Sequence, residues 1–167
     1  MCGIVGLYLK NKKLHNHLGC YLSEMLDNMS SRGPDSAGFA IYNNIEKERY
    51  KYSLCLTEKT NFKNFEDDIL KNFKKTDMKR VSDHIILYTS AKPLKVIPFI
   101  KKNYEDILIV GYGKSIEIFK QVGNPKDIVK KFNLHQLSGS HGIGHTRMAT
   151  ESAITIDGSH PYSTGED

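Results

Sequence analysis

Two stretches at opposite ends of the chain carry residue types that could do chemistry together. The first is Met1-Cys2-Gly3-Ile4-Val5-Gly6-Leu7; the second is Gly144-His145-Thr146-Arg147-Met148-Ala149-Thr150, with Ser159-His160-Pro161 shortly after it. A thiol is mostly protonated near neutrality, with a pKa of roughly 8.5, and needs a base before it attacks an amide well. Loss of Met1, which the small second residue permits, would leave Cys2 at the true N-terminus. A free α-amino group has a pKa of roughly 8 and lies within reach of its own side chain, so one residue would supply both nucleophile and base. Gly3 beside it lets backbone or substrate approach closely. The expectation is that Cys2 attacks an amide held by the second stretch. The competing reading of Cys2 is a small hydrophobe at the head of a buried strand.

The elements that must position these residues follow from the chain in order. Residues 2–10 read as a strand, from Ile4, Val5, Leu7, Tyr8 and Leu9, and residues 11–16 as a polar turn. A helix fits 18–30, where Leu18, Leu22, Met25, Leu26 and Met29 fall on one face. It runs into Arg32-Gly33-Pro34-Asp35-Ser36-Ala37-Gly38, a helix break and turn across which Arg32 and Asp35 are near enough to brace one another. Residues 39–42 and 50–56 read as strands of a hairpin around the charged turn 43–49. A helix is predicted near 64–76 and a strand at 84–88, while the segment between Pro93 and Pro98 carries no clear pattern. Residues 107–110 and 115–119 read as strands joined through Gly111-Tyr112-Gly113, which lacks the third glycine and the setting of a nucleotide loop. Asn124-Pro125 starts a helix, with Asn as its cap and Pro in its first turn, running to about Phe132. Residues 138–146 read as a strand entering the second key stretch. The order predicts one α+β domain, helices packed on a mostly antiparallel sheet.

Composition bounds the function classes. With 167 residues the chain is long enough for a buried core, and 39% hydrophobic and 26% charged residues are ordinary for a globular protein. The net charge of +5 comes from scattered lysines, without the basic stripe interleaved with aromatics that a nucleic-acid binder shows. No apolar run approaches the ~20 residues of a membrane span, and no basic stretch precedes an apolar core at the N-terminus. The three cysteines, Cys2, Cys20 and Cys55, form no CxxC, so reduced thiols and a cytoplasmic location are expected, with Cys20 and Cys55 as buried structural thiols. The histidines are too dispersed to suggest a metal cluster, and no metal or other cofactor is expected.

The motifs, taken together, resemble the class II glutamine amidotransferases, which are N-terminal-nucleophile hydrolases. The resemblance rests on Met1-Cys-Gly-Ile-Val-Gly6, Arg32-Gly-Pro-Asp-Ser-Ala-Gly38, Gly144-His-Thr-Arg-Met-Ala-Thr150 and Ser159-His-Pro161, in that order. The long segment between residues 43 and 138 is most similar to that of stand-alone subunits related to the amidotransferase domain of glutamate synthase. The resemblance implies a four-layer αββα fold and hydrolysis of the glutamine side-chain amide to glutamate and ammonia, passed to a partner synthase. It implies Cys2 as nucleophile and its amine as base, with Arg147 pairing bidentately with the α-carboxylate of glutamine. Thr150 helps hold that carboxylate, and His160 lines the same pocket. Gly3, Arg32 and Asp35 support the nucleophile strand.

Two positions depart from the family pattern: Met148 where many members carry Trp, and Glu151 where many carry His. The family's Asn-Gly oxyanion pair and its amino-group aspartate would fall beyond Asp167. Residues 1–167 are therefore expected to be the N-terminal part of the domain, its fold incomplete at the C-terminus, with an unpaired sheet edge that predicts poor solubility or obligate pairing. A degenerate, non-catalytic glutamine-binding or regulatory module is the alternative, resting on Glu151 and the missing oxyanion segment. A third reading, a hydrolase of another amide, keeps the Cys2 chemistry; the family motif around Arg147 argues against it.

Overall fold

A computed structural model of the chain describes residues 2–150, 153–165 and 167. The expectations about removal of Met1 and about Glu151 fall outside the described residues. The chain divides into two compact units, Met1–Asn44 with Ile118–Tyr162, and Ile45–Glu117 with Ser163–Asp167. The structure is mixed α and β, and its sheets are antiparallel in every pairing whose register is resolved.

The first unit is built on a four-stranded sheet in the order β1-β8-β2-β7, with β1 Gly3–Tyr8, β2 Ser36–Tyr42, β7 Ile116–Val122 and β8 His141–Arg147; β7 joins this unit from Ile118 onward. Helix α1, Leu18–Asn28, covers one face. Leu18, Leu22 and Leu26 recur every fourth residue and so share one side of the helix; all three are fully buried. They come close to β8 because that strand offers glycine where they land. A Cβ on Gly144 would lie 2.7 Å from Leu26 Cδ2. On the same side, Phe39, Phe119 and Phe132 pack with ring centroids 5.3–6.2 Å apart. Phe132 follows α4, Pro125–Lys131, whose Asn124 side chain accepts from the Lys126 N–H at 3.0 Å as the sequence predicts.

The second unit holds a sheet in the order β4-β5-β3-β6, with β3 Tyr50–Cys55, β4 Asp77–Val81, β5 His84–Thr89 and β6 Leu108–Gly113. Helices α2, Phe62–Asn72, and α3, Pro93–Asn103, supply Phe65, Ile69, Val96 and Ile100 to a core with Tyr52, Leu54, Ile85 and Leu87, all fully buried. The alternation of side chains along a strand puts Lys51, Ser53 and Cys55 on the opposite face of β3. There Lys51 pairs with Glu117 at 3.2 Å, both buried, and Glu117 accepts a second bond from the Tyr88 hydroxyl at 3.2 Å. Among the described residues no helix is long and apolar enough to cross a membrane.

Several local expectations are corrected. Strands 39–42 and 50–56 are not a hairpin, because β2 pairs with β8 in the first sheet and β3 with β5 and β6 in the second. Gly111-Tyr112-Gly113 is no connection: it continues β6, with Tyr112 opposite Tyr52. The segment without a pattern is α3. Pro93 stands in its first turn, where a missing N–H costs nothing, and Pro98 forfeits a single bond inside the helix. Residues 12–17 form a 3-10 helix in place of an irregular turn, and Cys20 is exposed because it faces away from the leucine side of α1. β4 escaped notice because its residues are polar and largely exposed at a sheet edge.

Candidate active site

β8 brings the two key stretches together. It is the strand between β1 and β2, with Gly3 opposite Thr146 and Ser36 opposite Arg147. The β1–β8 ladder thus ends one residue from Cys2 on one strand and one residue from Arg147 on the other. Cys2 is exposed. Gly3 is buried against the sheet, where a Cβ would meet Thr146 Oγ1 at 2.8 Å. Thr146 faces inward, its hydroxyl donating to the Met29 carbonyl at 3.2 Å. The alternate residues His145 and Arg147 project from the other side of the strand, the side away from α1.

The turn ahead of β2 is tied to the end of β8. Asp35 donates its N–H to the Arg147 carbonyl at 3.1 Å, and its Oδ2 accepts from the Ala149 N–H at 2.7 Å. Asp35 therefore braces the strand that carries Arg147. Arg32 is exposed and forms no ion pair with Asp35, so the two do not brace one another across the turn. Thr150 and Met148 are exposed beyond the strand end.

Residues 157–160 fold back over the same face and are fastened there by two cations. Arg147 Nη1 donates to the Gly158 carbonyl at 2.9 Å. Lys120 Nζ, buried in β7, donates to the carbonyls of Ser159 at 2.9 Å and Asp157 at 3.2 Å. Gly38 makes room for the loop, since a Cβ there would lie 2.3 Å from the His160 carbonyl oxygen. His160 stacks on His145 with ring centroids 4.3 Å apart, and Tyr162 meets it edge-on at 4.5 Å. Burial first, then the neighbouring His160 and Arg147, push the His145 pKa down to about 4. Burial, Arg147 and Lys120 likewise lower that of His160. Both rings are neutral at neutral pH.

The structure thus places Cys2, Gly3, Asp35, Arg147 and His160 in one unit around the end of β8. Among the described residues, the buried side-chain polar atoms without a partner are Ser36 Oγ, His145 Nδ1 and His160 Nδ1. Ser36 lies across the ladder from Arg147, and the two rings stack beside it. Buried polar groups in native proteins are nearly always bonded, so three orphans gathered near one arginine suit a polar ligand. Sequence reasoning missed Lys120 and Ser36. The available signal for Lys120 was a cation that directly follows Ile118-Phe119 within a strand-like stretch; Ser36 had none, since small residues after Pro34-Asp35 read as turn.

No known protein-family model matches the chain. It is 43% identical, over its whole length, to the glutamine amidotransferase-like protein GlxB of Rhizobium meliloti, covering 56% of that protein. It is 31% identical over 98% of its length to a putative glutamine amidotransferase of Methanothermobacter thermautotrophicus, covering 57% of it. A 57-residue stretch is 35% identical to a glutamine–fructose-6-phosphate aminotransferase (isomerizing) of Streptococcus pyogenes. The chain spans a little over half the length of the first two of these curated relatives. These likenesses support a glutamine amidotransferase domain.

Proposed function

We propose that the chain carries the nucleophile and carboxylate-binding parts of a class II glutamine amidotransferase of the N-terminal-nucleophile type, with a four-layer αββα fold in the complete domain. In this reading the Cys2 thiol passes its proton to its own α-amine and attacks the side-chain amide carbon of glutamine. The tetrahedral adduct collapses to a thioester, and the amide nitrogen leaves as ammonia carrying the proton from the amine. Water then hydrolyses the thioester, giving glutamate and the free thiol. Arg147 and Thr150 hold the α-carboxylate, and the neutral His160 ring lines the pocket. The ammonia serves a partner synthase.

The observation that carries the reading is the β1–β8 ladder, which sets an exposed Cys2 and Arg147 at the same end of adjacent strands. The test treats the chain with a glutamine-directed, thiol-reactive electrophile, 6-diazo-5-oxo-norleucine, and reads intact mass before and after. Loss of Met1, one adduct on Cys2, protection by excess glutamine and no adduct in Cys2→Ala are the expected results. A folded, Met1-free chain that takes no adduct would favour the non-catalytic, glutamine-binding alternative. Because Cys20 is also exposed, the labelling is done in a Cys20→Ser background.

A further inference from the structure

A second set of reactive side chains lies in the other unit and shares no residue with the proposed amidotransferase site. Cys55 ends β3 and His84 begins β5, and the two are register partners. Directly opposed residues of an antiparallel pair project to the same side, so thiol and imidazole share the face of the sheet away from the Leu54–Ile85 core. Asp83 precedes His84 in the two-residue turn between β4 and β5, where Ser82 takes a left-handed φ of 58°. The Asp83 carbonyl accepts the Leu56 N–H at 2.7 Å, which clamps the turn to the chain just past Cys55. Its carboxylate Oδ1 lies 3.0 Å from His84 Nδ1. One ligand atom from each of Cys55, Asp83 and His84 lies within 4.8 Å of the other two.

We propose that Cys55, Asp83 and His84 form a binding site for a thiophilic divalent cation of the zinc class. The donor set is one sulfur, one nitrogen and one oxygen, which is the mixture Zn2+ accepts and which Mg2+ and Ca2+ do not favour. Bond lengths of about 2.0–2.3 Å around a tetrahedral ion put ligand atoms about 3.3–3.8 Å apart, so closure needs a shift of about 1 Å at most. A thiolate and a carboxylate together balance the charge of the dication, which matters because His84 and Cys55 are both buried. Asp83 also lines an open surface hollow of about 420 Å³ with Leu56, Thr57, Glu58 and Ser82. The hollow gives the ion an entry path and water a place at the remaining coordination position. Arg80, on the same hollow, is held aside by a bond to the Ser82 carbonyl at 3.0 Å and by the Phe62 ring at 4.9 Å.

The test uses the full chain with Cys2→Ser and Cys20→Ser, so that Cys55 is the only thiol, under metal-free reducing conditions. Titration with Co2+ is expected to give a thiolate-to-cobalt charge-transfer band and the strong visible bands of a four-coordinate ion, both erased by one equivalent of Zn2+. Asp83→Asn, at a partly exposed position, is expected to weaken Co2+ binding by about tenfold or more. Zn2+ is also expected to slow alkylation of Cys55 in the otherwise unaltered site, a readout independent of how the variants fold. Absence of the charge-transfer band, or alkylation unaffected by Zn2+, overturns the proposal. None of these readouts depends on glutamine chemistry.

Discussion

Neutral imidazoles stacked beside two cations make the first unit sensitive to acid. The unfolded-state pKa of histidine is about 6.5, and in the folded chain that of His145 is pushed down to about 4, by burial, His160 and Arg147. Between those values the unfolded chain binds more protons than the folded one, so stability rises with pH across that window. The contribution is complete above about 6.5 and is lost as pH falls toward 4. His160 is shifted in the same direction. Denaturant unfolding at stepped pH is expected to show this loss, on the order of 1–2 kcal/mol once solvent screening is allowed for. His145→Gln, which removes the titration, flattens the profile; an unchanged slope would mean that the ring pair does not titrate as described. Cys2, Arg147 and His160 were legible at this scale because they stand in recognisable motifs. The partners of Lys120 were not, because they lie on a loop far along the chain, and strand periodicity carries no record of that.

Helix α1 owes its position to close contacts that a side chain would prevent. Gly19 is buried in its first turn, and its N–H donates to the Leu137 carbonyl at 2.9 Å. Replacing a helical glycine by alanine normally stabilises by about 1 kcal/mol. Here the new Cβ would lie 2.0 Å from the Leu134 carbonyl oxygen and 2.5 Å from that of Leu137. Neither is the tip of a flexible side chain, so overpacking decides the sign. Gly19→Ala is expected to cost about 1–3 kcal/mol in chemical denaturation, and a stabilised variant would show that the 3-10 segment Leu134–Gln136 yields easily. The leucine spacing that made α1 readable is local, as is the Asn-Pro cap of α4. The course of β2 and β3 into different sheets was hidden because a seven-residue polar connection reads alike whether its strands pair or part. α3 was hidden because proline is a breaker by reputation, yet is harmless at a helix start.

At the scale of the molecule the first sheet leaves apolar side chains bare along one edge. β1 is its edge strand, and Ile4, Tyr8 and the neighbouring Ile143 are 73%, 65% and 40% exposed. A row of apolar side chains on a strand with free backbone groups is a template for association. Sedimentation velocity over a concentration series is expected to show the chain self-associating despite its charge of +5. Tyr8→Lys with Ile143→Thr is expected to shift it toward monomer while leaving stability within about 0.5 kcal/mol, as for surface positions in general. A monomer at every concentration would show that the bare row is harmless. Only the register of β1 on β8 reveals which residues line this edge.

The loop over β8 is held through the guanidinium that, in the proposed reading, also receives the ligand. Arg147 has five N–H donors, and the Gly158 carbonyl occupies one of them. A carboxylate arriving on the guanidinium would reinforce the arginine that pins the loop. Occupancy would then be legible far from any chemistry, as slower amide hydrogen exchange and slower protease nicking across residues 157–160. The loop becomes a built-in reporter, one that a competitor without a carboxylate leaves silent.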